Sequence, residues 1–485
     1  GCRQGDRVAL LMPKSIEALI GMFGTIKAGC MYVPLDTSSP AARLSRILQQ
    51  CESRVVLAVD SAAALLRKLR EAGAIPESTS IGWMDAPPQA DGSCFTRTDL
   101  ESLPTSPIGC EITATDPVHI LFTSGSTGIP KGVVITHANV VHFVEWAVRY
   151  FGMEASDRLS CHPPLHFDLS MFDIYGSVAV GAELHLLAPE LSLLPHRLAA
   201  YIRDARLTQW FSVPSILNYM AKLDVVRQDD FPALKRLLWC GEKFPTPGLI
   251  YWMRRLPRVT FDNLYGPTEA TIASSFYRVP QCPEDETAEI PIGTACEGEQ
   301  LLVLDERLQP TPPGETGNLY IGGVGLSPGY WRDPEKTEAA FLPNPFDASD
   351  RIYKTGDLAK TGEDGLIYLL GRADTQIKSR GYRIELGEIE AAVHAIPGIQ
   401  SAAVVAVETP GFEGASICCA FVPEAASPIS AAELKRLMAG ILPHYMLPSS
   451  WMVLERMPLN GNGKADRPLL KERFHSQAVS VVAAD

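Results

Sequence analysis

The chain of 485 residues lacks the roughly 18 consecutive apolar residues that a membrane-spanning helix needs. It also lacks an excess of basic residues, because 43 lysines and arginines stand against 56 aspartates and glutamates, a net charge of −13. Sequence-independent nucleic-acid binding needs a basic surface, so this charge argues against it. There is no internal repeat and no low-complexity tract, and the length exceeds one ordinary core, so we expect two or more domains.

The 11 cysteines have no metal-binding spacing, since no two form a Cys-x-x-Cys pair. Residues 1–8 contain neither an initiator methionine nor the apolar stretch of a signal peptide, and we interpret this start as that of a chain joined partway. An odd number of cysteines without metal spacing favours reduced thiols, so we expect a cytoplasmic protein.

Residues 121–133, LFTSGSTGIPKGV, are the most informative segment of the chain. The apolar run 118–122 predicts a buried strand, and the loop after it combines glycines, hydroxyl side chains and Lys131. Glycines let backbone N–H groups approach a ligand closely, and hydroxyls and a lysine add donors and charge, which together suit the polyphosphate of ATP. The spacing is not that of a P-loop, because Lys131 lies between Pro130 and Gly132. Taken alone, the loop could equally be a flexible surface turn.

Up to about residue 275, strand and helix patterns alternate, which predicts βαβ units and parallel sheets. The expected strands are 7–12, 54–59, 118–122, 209–213, 234–239 and 260–264, and the expected helices are 15–28, 62–72, 137–150, 197–205, 216–223 and 248–255. The glycine-rich loop, residues 240–242 and residues 265–269 each follow a predicted strand. Because ligands bind beyond the carboxyl ends of such strands, we expect these three segments to converge on one cleft.

The rest of the chain has a different character. Residues 292–330 predict short strands of a small β-barrel or antiparallel sheet, and residues 87–117 predict a long surface loop. A new unit of roughly 100 residues, α+β in pattern, begins near Gly371, and we expect disorder beyond Phe474. The predicted fold class is therefore α/β: a large N-terminal domain of stacked βαβ sheets with a small β-barrel-like subdomain (1–373), a small mobile α+β C-terminal domain (374–474) and a tail (475–485).

Nine motifs follow one another along the chain. They are 26–36 (IKAGCMYVPLD), 123–132 (the glycine-rich loop), 167–170 (FDLS), 263–269 (NLYGPTE), 317–323 (GNLYIGG), 353–357 (YKTGD), 371–390 (GRADTQIKSRGYRIELGEIE), 442–448 (LPHYMLP) and 462–467 (NGKADR). This series resembles the adenylate-forming superfamily of acyl- and aryl-CoA synthetases and luciferase. It is most similar to the amino-acid adenylation domains of nonribosomal peptide synthetases, which serve secondary metabolite biosynthesis.

The chain departs from this family at both ends. The family usually carries about 40 more residues before the stretch RQGDR, here residues 3–7, so we expect a segment to be missing there. No carrier-protein motif follows residue 474, so the resemblance predicts either a stand-alone enzyme or a domain cut from a larger synthetase.

The resemblance implies a ligase that joins a carboxylate to ATP, forming an acyl-adenylate and pyrophosphate. Catalysis of this reaction is mainly positioning and charge neutralisation. The residues implied to hold the β- and γ-phosphates are Thr123, Ser124, Gly125, Ser126, Thr127 and Lys131. For the remainder of the nucleotide they are Tyr265 for adenine stacking, with Gly241 and Glu242 opposite it, Asp357 for the ribose hydroxyls, Arg372 as a second contact, Thr268 for the α-phosphate and Glu269 for Mg²⁺.

Two residues of the small domain have implied roles in catalysis and movement. Lys464 would bridge the substrate carboxylate and the α-phosphate as negative charge builds, but only when the small domain closes over the cleft. Asp374 matches the family's hinge. Rotation about it would take Lys464 away and bring residues 375–390 to the cleft, where a phosphopantetheine thiol of a carrier protein attacks the adenylate. Without the resemblance, Lys464 would be a solvated turn residue and Asp374 an ordinary linker residue.

Asp168 matches the family aspartate that pairs with the ammonium group of an amino-acid substrate. Without the resemblance it could be an N-cap, since a helical pattern begins at Ser170. The pocket lining implied by the motifs is uncharged and predicts an apolar substrate side chain; it comprises Leu169, Phe172, Phe211, Leu238, Cys240, Leu264, Ile272 and Ala273. The stretch Cys240–Phe244 also resembles D-alanine–carrier-protein ligases.

The sequence leaves several alternatives open. It does not choose among amino acids, between L and D or between α and β forms, and it does not identify the carrier protein or the oligomeric state. An acyl- or aryl-CoA ligase acting on an acid without an amino group would share the ATP motifs but would not need Asp168. A catalytically silent carrier-binding module is the third possibility, and the presence of Lys464, Glu269 and Asp357 argues against it.

Overall fold

The computed structural model describes residues 2–85, 95–106, 108–125, 128–408, 415–424, 429–461 and 463–482. Within these ranges no helix is both long enough and apolar enough to pass through a membrane. The ten cysteines in these ranges are free thiols.

The helices and strands follow one another along the whole chain. The elements up to residue 186 are β1 (Arg7–Leu11), α1 (Ile16–Lys27), β2 (Met31–Pro34), α2 (Ala41–Cys51), β3 (Val55–Ala58), α3 (Ala63–Glu71), β4 (Ser80–Trp83), α4 (Arg97–Glu101), β5 (Pro117–Thr123), β6 (Lys131–Thr136), α5 (His137–Phe151), β7 (Arg158–Cys161), α6 (Leu169–Val180) and β8 (Glu183–Leu186). The elements from there to residue 372 are α7 (Pro195–Asp204), β9 (Gln209–Ser212), α8 (Pro214–Lys222), β10 (Arg236–Trp239), α9 (Thr246–Arg255), β11 (Thr260–Tyr265), β12 (Ser275–Arg278), β13 (Thr294–Ala295), β14 (Glu299–Leu304), β15 (Gly317–Gly323), β16 (Gly329–Tyr330), α10 (Pro334–Ala340), β17 (Phe341–Asn344), β18 (Asp347–Thr361) and β19 (Ile367–Arg372). The last elements are β20 (Gln376–Ser379), β21 (Tyr382–Glu385), α11 (Leu386–His394), β22 (Ile399–Glu408), β23 (Ala415–Pro423), α12 (Ala431–Met438), β24 (Ser450–Val453) and α13 (Arg467–Val482).

Two seven-stranded sheets form the large lobe, and both are mainly parallel. Their strand orders are β16-β6-β5-β2-β1-β3-β4 and β13-β12-β11-β10-β9-β7-β8. One cluster of buried apolar side chains extends from the first sheet, through α5 and α6, to the strands of the second sheet. The predicted α/β class with stacked βαβ sheets is confirmed.

The connection after β5 differs from the βαβ prediction. The glycine-rich loop does not lead directly into a helix, because β6 lies between them and pairs antiparallel with β5, with Thr123 opposite Lys131. The β-branched run Val133–Thr136 explains this strand. Helix α5 begins immediately afterwards, where the hydroxyl of Thr136 accepts a hydrogen bond from the backbone N–H of Asn139 (3.3 Å). The loop is therefore held between two paired strands.

Beyond the two large sheets, β14, β15, β18, β17 and β19 form a five-stranded antiparallel sheet, in place of a closed barrel. One loop expectation needs correction. Within 87–117, the described residues include helix α4 and the start of β5, so this segment is not one continuous loop. A capping box between Thr96 and Asp99 stabilises α4 locally.

The small lobe contains the hairpin β20–β21 and the three-stranded sheet β22-β23-β24, with α11, α12 and α13. The expectation of disorder beyond Phe474 is wrong, because α13 continues to Val482. Leu470 and Phe474 are buried against residues of β22 and β23, and this packing anchors the helix. The domain boundaries at 373/374 and 474/475 stay predictions.

Candidate functional site

The three segments that follow predicted strands converge, as their positions in the sheets require. The glycine-rich loop follows β5 of the first sheet, whereas residues 240–242 and 266–269 follow the adjacent parallel strands β10 and β11 of the second. Hydrogen bonds and ion pairs with a single hairpin of the small lobe, β20–β21, join all three segments. The cleft therefore lies between the two large sheets, with this hairpin across it.

The glycine-rich loop places its polar groups at this cleft. The Ser124 hydroxyl donates to the backbone carbonyl of Arg383 at 2.6 Å, and the buried Thr123 hydroxyl has no hydrogen-bond partner among the described residues. A side chain at Gly125 would come within 2.1 Å of the Ile129 carbonyl oxygen, so only glycine fits there. An unpartnered buried donor beside a glycine turn suits an anionic ligand. Two residues expected to hold phosphates, Ser126 and Thr127, lie outside the described residues.

Lys131 stands at the far end of the loop, with its ammonium nitrogen 4.9 Å from the centre of the Tyr330 ring. Burial lowers the pKa of Lys131, and the nearby Glu269 carboxylate acts in the opposite direction. This lysine supplies fixed positive charge beside Glu269.

Glu269 is fully buried, and both of its carboxylate oxygens accept hydrogen bonds. One accepts from the Tyr330 hydroxyl at 2.8 Å and the other from Arg383 Nη1 at 2.6 Å. Burial alone would raise the pKa of Glu269, but the charges of Arg383 and Lys131 lower it to about 2. The carboxylate is therefore ionised and requires a cation beside it.

The chemistry of this position fits Mg²⁺. Magnesium usually binds through one or two carboxylates together with phosphate oxygens and waters, rather than in a cage made only of protein ligands. The described residues contain no cluster of three or more His, Cys, Asp or Glu side chains that could hold a metal ion. Glu269 would hold the ion alone among protein groups, and in this conformation the guanidinium of Arg383 provides the neutralising charge.

Asp168 lies at the N-terminus of α6 and accepts a hydrogen bond from the Thr268 hydroxyl at 2.7 Å. Asp168 is the N-cap residue of α6, but its side chain makes no capping hydrogen bond. Burial raises the pKa of Asp168 to about 6, although the Thr268 hydrogen bond acts against the shift. A carboxylate with this much desolvation gains from a cationic partner.

The eight predicted lining residues are all buried and belong to one extended apolar cluster of the large lobe. Two of these residues, Phe172 and Phe211, meet edge to face, with ring centres 5.5 Å apart. Ile272 has a φ of +74°, in the left-handed region that β-branched residues rarely adopt. Such strain is found where a functional site requires it.

Asp357 and Tyr265 form the corner implied to bind the nucleoside. The Tyr265 hydroxyl donates to one oxygen of Asp357 at 2.5 Å, and Arg372 Nη1 donates to the other at 2.6 Å. Arg372 also makes two hydrogen bonds of 2.7 Å to Asp374. Burial would raise the pKa of Asp374, but these bonds and the guanidinium charge hold it below its usual value. Arg372 thus links the nucleoside corner to the predicted hinge.

The hairpin β20–β21 brings functional groups that sequence reasoning did not single out. The backbone N–H of Gly381 donates to Glu242 at 2.7 Å, and the ammonium of Lys378 lies 5.5 Å from the centre of the Tyr265 ring. Arg383 was within the segment 375–390 expected at the cleft, yet its pairing with Glu269 was not foreseen. In the sequence, Arg383 shows only as a positively charged residue within a strand-like segment. Such a pattern does not indicate which carboxylate the arginine contacts.

Lys464 is the one predicted catalytic residue that this conformation does not bring to the site. It is exposed in a turn of the small lobe, where its backbone N–H donates to the Asn460 side chain at 3.1 Å. This agrees with the expectation that Lys464 reaches the cleft only after the small domain moves, and its role stays a prediction.

Two stacked α/β sheets, a glycine-rich loop and a small lobe placed across the cleft define the class of adenylate-forming enzymes. The sequence comparisons agree: residues 1–331 match the family described as AMP-binding enzyme, and residues 388–464 match the AMP-binding enzyme C-terminal domain. The chain belongs to this family, and the expectation of an ATP-dependent, AMP-forming ligase is confirmed.

Two similar proteins are of nearly the same length as this chain. The L-proline--[L-prolyl-carrier protein] ligase of Streptomyces coelicolor is 36% identical over 475 residues, which cover 96% of this chain and 87% of that protein. The ligase of the same name from Pseudomonas fluorescens is 34% identical over 469 residues, covering 96% and 89%. Much larger relatives also match: tyrocidine synthase 3 of Brevibacillus parabrevis is 34% identical over 475 residues, which cover 98% of this chain but 7% of that synthase.

Solved structures show the same architecture. The Vibrio cholerae adenylation domain AlmE, in complex with glycyl-adenosine-5'-phosphate, superimposes with a TM-score of 0.83 and 25% identity, covering 97% of this chain and 89% of that chain. IdnL1 superimposes with a TM-score of 0.77 and 28% identity, covering 94% and 89%. The resemblance to amino-acid adenylation domains is therefore confirmed for the fold and the family.

Proposed function

We propose that this chain activates an amino acid with a compact apolar side chain as its aminoacyl-AMP, using ATP, and transfers it to the phosphopantetheine thiol of a carrier protein. The observation that carries the proposal is Asp168, a desolvated carboxylate that accepts a hydrogen bond from Thr268. An amino-acid ammonium would neutralise this carboxylate, whereas a fatty or aromatic acid would leave it without a partner.

In the first step, a substrate carboxylate oxygen attacks the α-phosphorus of ATP and pyrophosphate leaves. The glycine-rich loop with Lys131 would bind the β- and γ-phosphates, Thr268 the α-phosphate, and Asp357 the ribose hydroxyls. Magnesium, held at Glu269 when bound, supplies charge neutralisation on the phosphates. Lys464 would offset the negative charge that develops between the carboxylate and the phosphorus, once the small lobe has rotated to bring it there.

In the second step, the carrier thiol, as thiolate, attacks the carbonyl carbon of the adenylate. A C–S bond forms, the C–O bond to phosphate breaks, and AMP leaves with the electron pair. The hairpin β20–β21 lies across the cleft beside Glu242 and Glu269, which supports its role in this step rather than the first. Arg372 and Asp374 would form the hinge between the two arrangements.

The lining favours a small substrate side chain. Three of the predicted lining residues, Phe172, Phe211 and Leu264, have large side chains and are at most 1% exposed. Two relatives of similar length are named for L-proline, whose compact ring and secondary ammonium would suit this lining and Asp168. Proline is therefore the first substrate to test, followed by D-alanine and other small α- and β-amino acids. We place the enzyme in the cytoplasm, where its thiols stay reduced.

ATP–pyrophosphate exchange across a panel of amino acids and their deaminated analogues tests this function. We expect exchange with a small apolar amino acid and loss of most of it in Asp168→Ala. Exchange only with the deaminated acids would instead favour a CoA ligase. No exchange with any carboxylate, in a folded protein that binds nucleotide, would favour a silent carrier-binding module.

A further inference from the structure

Arg383 joins the small lobe to the buried carboxylate of the large lobe. Its Nη1 donates to Glu269 at 2.6 Å, and its Nη2 lies 3.3 Å from the Tyr353 hydroxyl oxygen. Its backbone carbonyl accepts the Ser124 hydroxyl at 2.6 Å. One residue of the hairpin thus engages the glycine-rich loop through its backbone and the predicted metal ligand through its side chain.

The two oxygens of Glu269 leave little room for a further directly bound cation in this arrangement. It is fully buried, and its two oxygens already accept from Tyr330 and Arg383. Arg383 donates directly to a Glu269 oxygen, and another cation bound at the same oxygen would meet repulsion from its guanidinium. Lys131 belongs to the large lobe and stays with Glu269 in either arrangement, so the cation that can change is Arg383.

We propose that Arg383 and the Mg²⁺ of the first half-reaction are alternative cations for Glu269, so that a metal-bound nucleotide and the inserted hairpin exclude one another. This inference rests on the proposed function, in which Glu269 holds the metal. After pyrophosphate and Mg²⁺ have left, Arg383 pairs with Glu269 and neutralises its charge. The second half-reaction therefore follows the first. Arg383 is a positioning residue, because it acts through Glu269 and the hairpin.

Binding of a nonhydrolysable ATP analogue, β,γ-methylene ATP, tests the proposal by calorimetry without any turnover. The affinity is measured once with Mg²⁺ and once with EDTA, and the ratio of the two affinities is compared between variants. In Arg383→Gln no guanidinium competes with the metal, so we expect this ratio to rise about tenfold over that of the wild type, the usual size of one charge-assisted hydrogen bond.

Arg380→Gln is the matched control, because Arg380 is exposed in the turn of the same hairpin and its loss changes the net charge equally. It should keep the wild-type ratio. Arg383→Lys retains the charge without the planar fork and should raise the ratio less than Arg383→Gln. If circular dichroism shows that Arg383→Gln does not fold, the Arg383→Lys ratio decides alone: a rise supports the proposal and an unchanged ratio overturns it.

An unchanged ratio in folded Arg383→Gln would overturn the proposal. An equal loss of affinity with and without Mg²⁺ would also overturn it, because Arg383 would then be a simple phosphate contact. Since the measurement needs no amino acid, its outcome is independent of the exchange panel. The affinity ratio could rise in Arg383→Gln although the protein shows no ATP–pyrophosphate exchange with any carboxylate. That result would support the competition between Arg383 and Mg²⁺ and reject the proposed ligase activity.

Discussion

Two regions of the small lobe carry positively charged residues with predicted or proposed roles. One region lies in the cleft and the other is exposed to solvent. The hairpin β20–β21 is inserted, with Arg383 on Glu269 and Gly381 bonded to Glu242. The turn that carries Lys464 is exposed, and the Lys464 backbone N–H donates to Asn460 of the same turn. Both regions belong to one small lobe, and we propose that the lobe presents one of them to the cleft at a time.

The inserted arrangement is specified by buried charge as well as by shape. Besides Arg383 and Glu269, Arg43 of the large lobe pairs with Glu388 of the small lobe, and both are nearly inaccessible to solvent. Tyr382 also meets Phe167 edge to face, with ring centres 4.8 Å apart. Buried ion pairs add little net stability but strongly disfavour arrangements that leave one member alone. The hairpin is therefore held in a defined position.

The largest effect is expected from Lys464→Ala. ATP–pyrophosphate exchange should fall about 10²- to 10³-fold, because one preorganised charge in the transition state is lost. Transfer from a preformed aminoacyl-AMP to the carrier thiol should continue, since that step uses the arrangement in which Lys464 is exposed. Lys435→Ala, at another exposed lysine of the small lobe, is the control. Equal loss of both half-reactions in Lys464→Ala would remove the distinction between the two regions.

The reverse pattern is expected from Gly381→Ala. Gly381 has a φ of +81°, and an added Cβ would lie 2.6 Å from Val213 Cγ1, so the inserted hairpin should lose about 2–4 kcal/mol. Carrier loading should fall strongly while exchange is retained. Gly365→Ala has a similar positive φ but has open space around it, and it should load the carrier normally. Loss of loading in both variants would point to backbone strain rather than to the hairpin position.

A smaller effect, about tenfold on carrier loading, is expected from Asp374→Pro. Proline fixes φ, and the rotation that exchanges the two regions needs a change there. The comparison variant Asp374→Ala removes the two bonds from Arg372 but leaves the backbone free, so it should load the carrier better than the proline variant. Thioester formation at the wild-type rate in Asp374→Pro would contradict the hinge assignment.

An effect of similar size concerns pH. The pKa of Asp168 is raised to about 6, so this carboxylate takes up a proton as pH falls through 6 and can no longer pair with an ammonium. Affinity for the amino acid should therefore fall by about tenfold between pH 7 and pH 5, one unit on each side of that pKa. Binding measured by calorimetry should show this slope in the wild type and lose it in Asp168→Asn. The same slope in Asp168→Asn would assign the titration to another group.

Much of the large lobe could be predicted from the sequence, because its signals are local. The alternation of strand and helix patterns predicts the sheets. The site residues lie next to these elements, since they follow strand ends or begin helices: the glycine-rich loop, Asp168 and Glu269. Strand β6 was missed because a short β-branched run next to a helix start offers little periodicity. The helix beyond Phe474 was missed because its anchoring contacts are with distant strands.

The position of the small lobe could not be predicted in the same way. It depends on a few long-range pairs, of which Arg383 with Glu269 is separated by 114 residues and Arg43 with Glu388 by 345. Sequence patterning shows that each of these residues is charged but not which residue it meets. The hinge and the two cleft-facing regions could be expected only through the resemblance to a known family. That Arg383 pairs with Glu269 could be seen only in the folded structure.

Hydrogen–deuterium exchange of the two small-lobe regions, followed together, tests the central claim most directly. In the protein alone, the hairpin around Gly381 should be protected and the turn around Lys464 should exchange freely. Addition of Mg²⁺, ATP and the activated amino acid, without carrier protein, should reverse this order. Both regions changing in the same direction, or neither changing, would contradict a small lobe that presents one region to the cleft at a time.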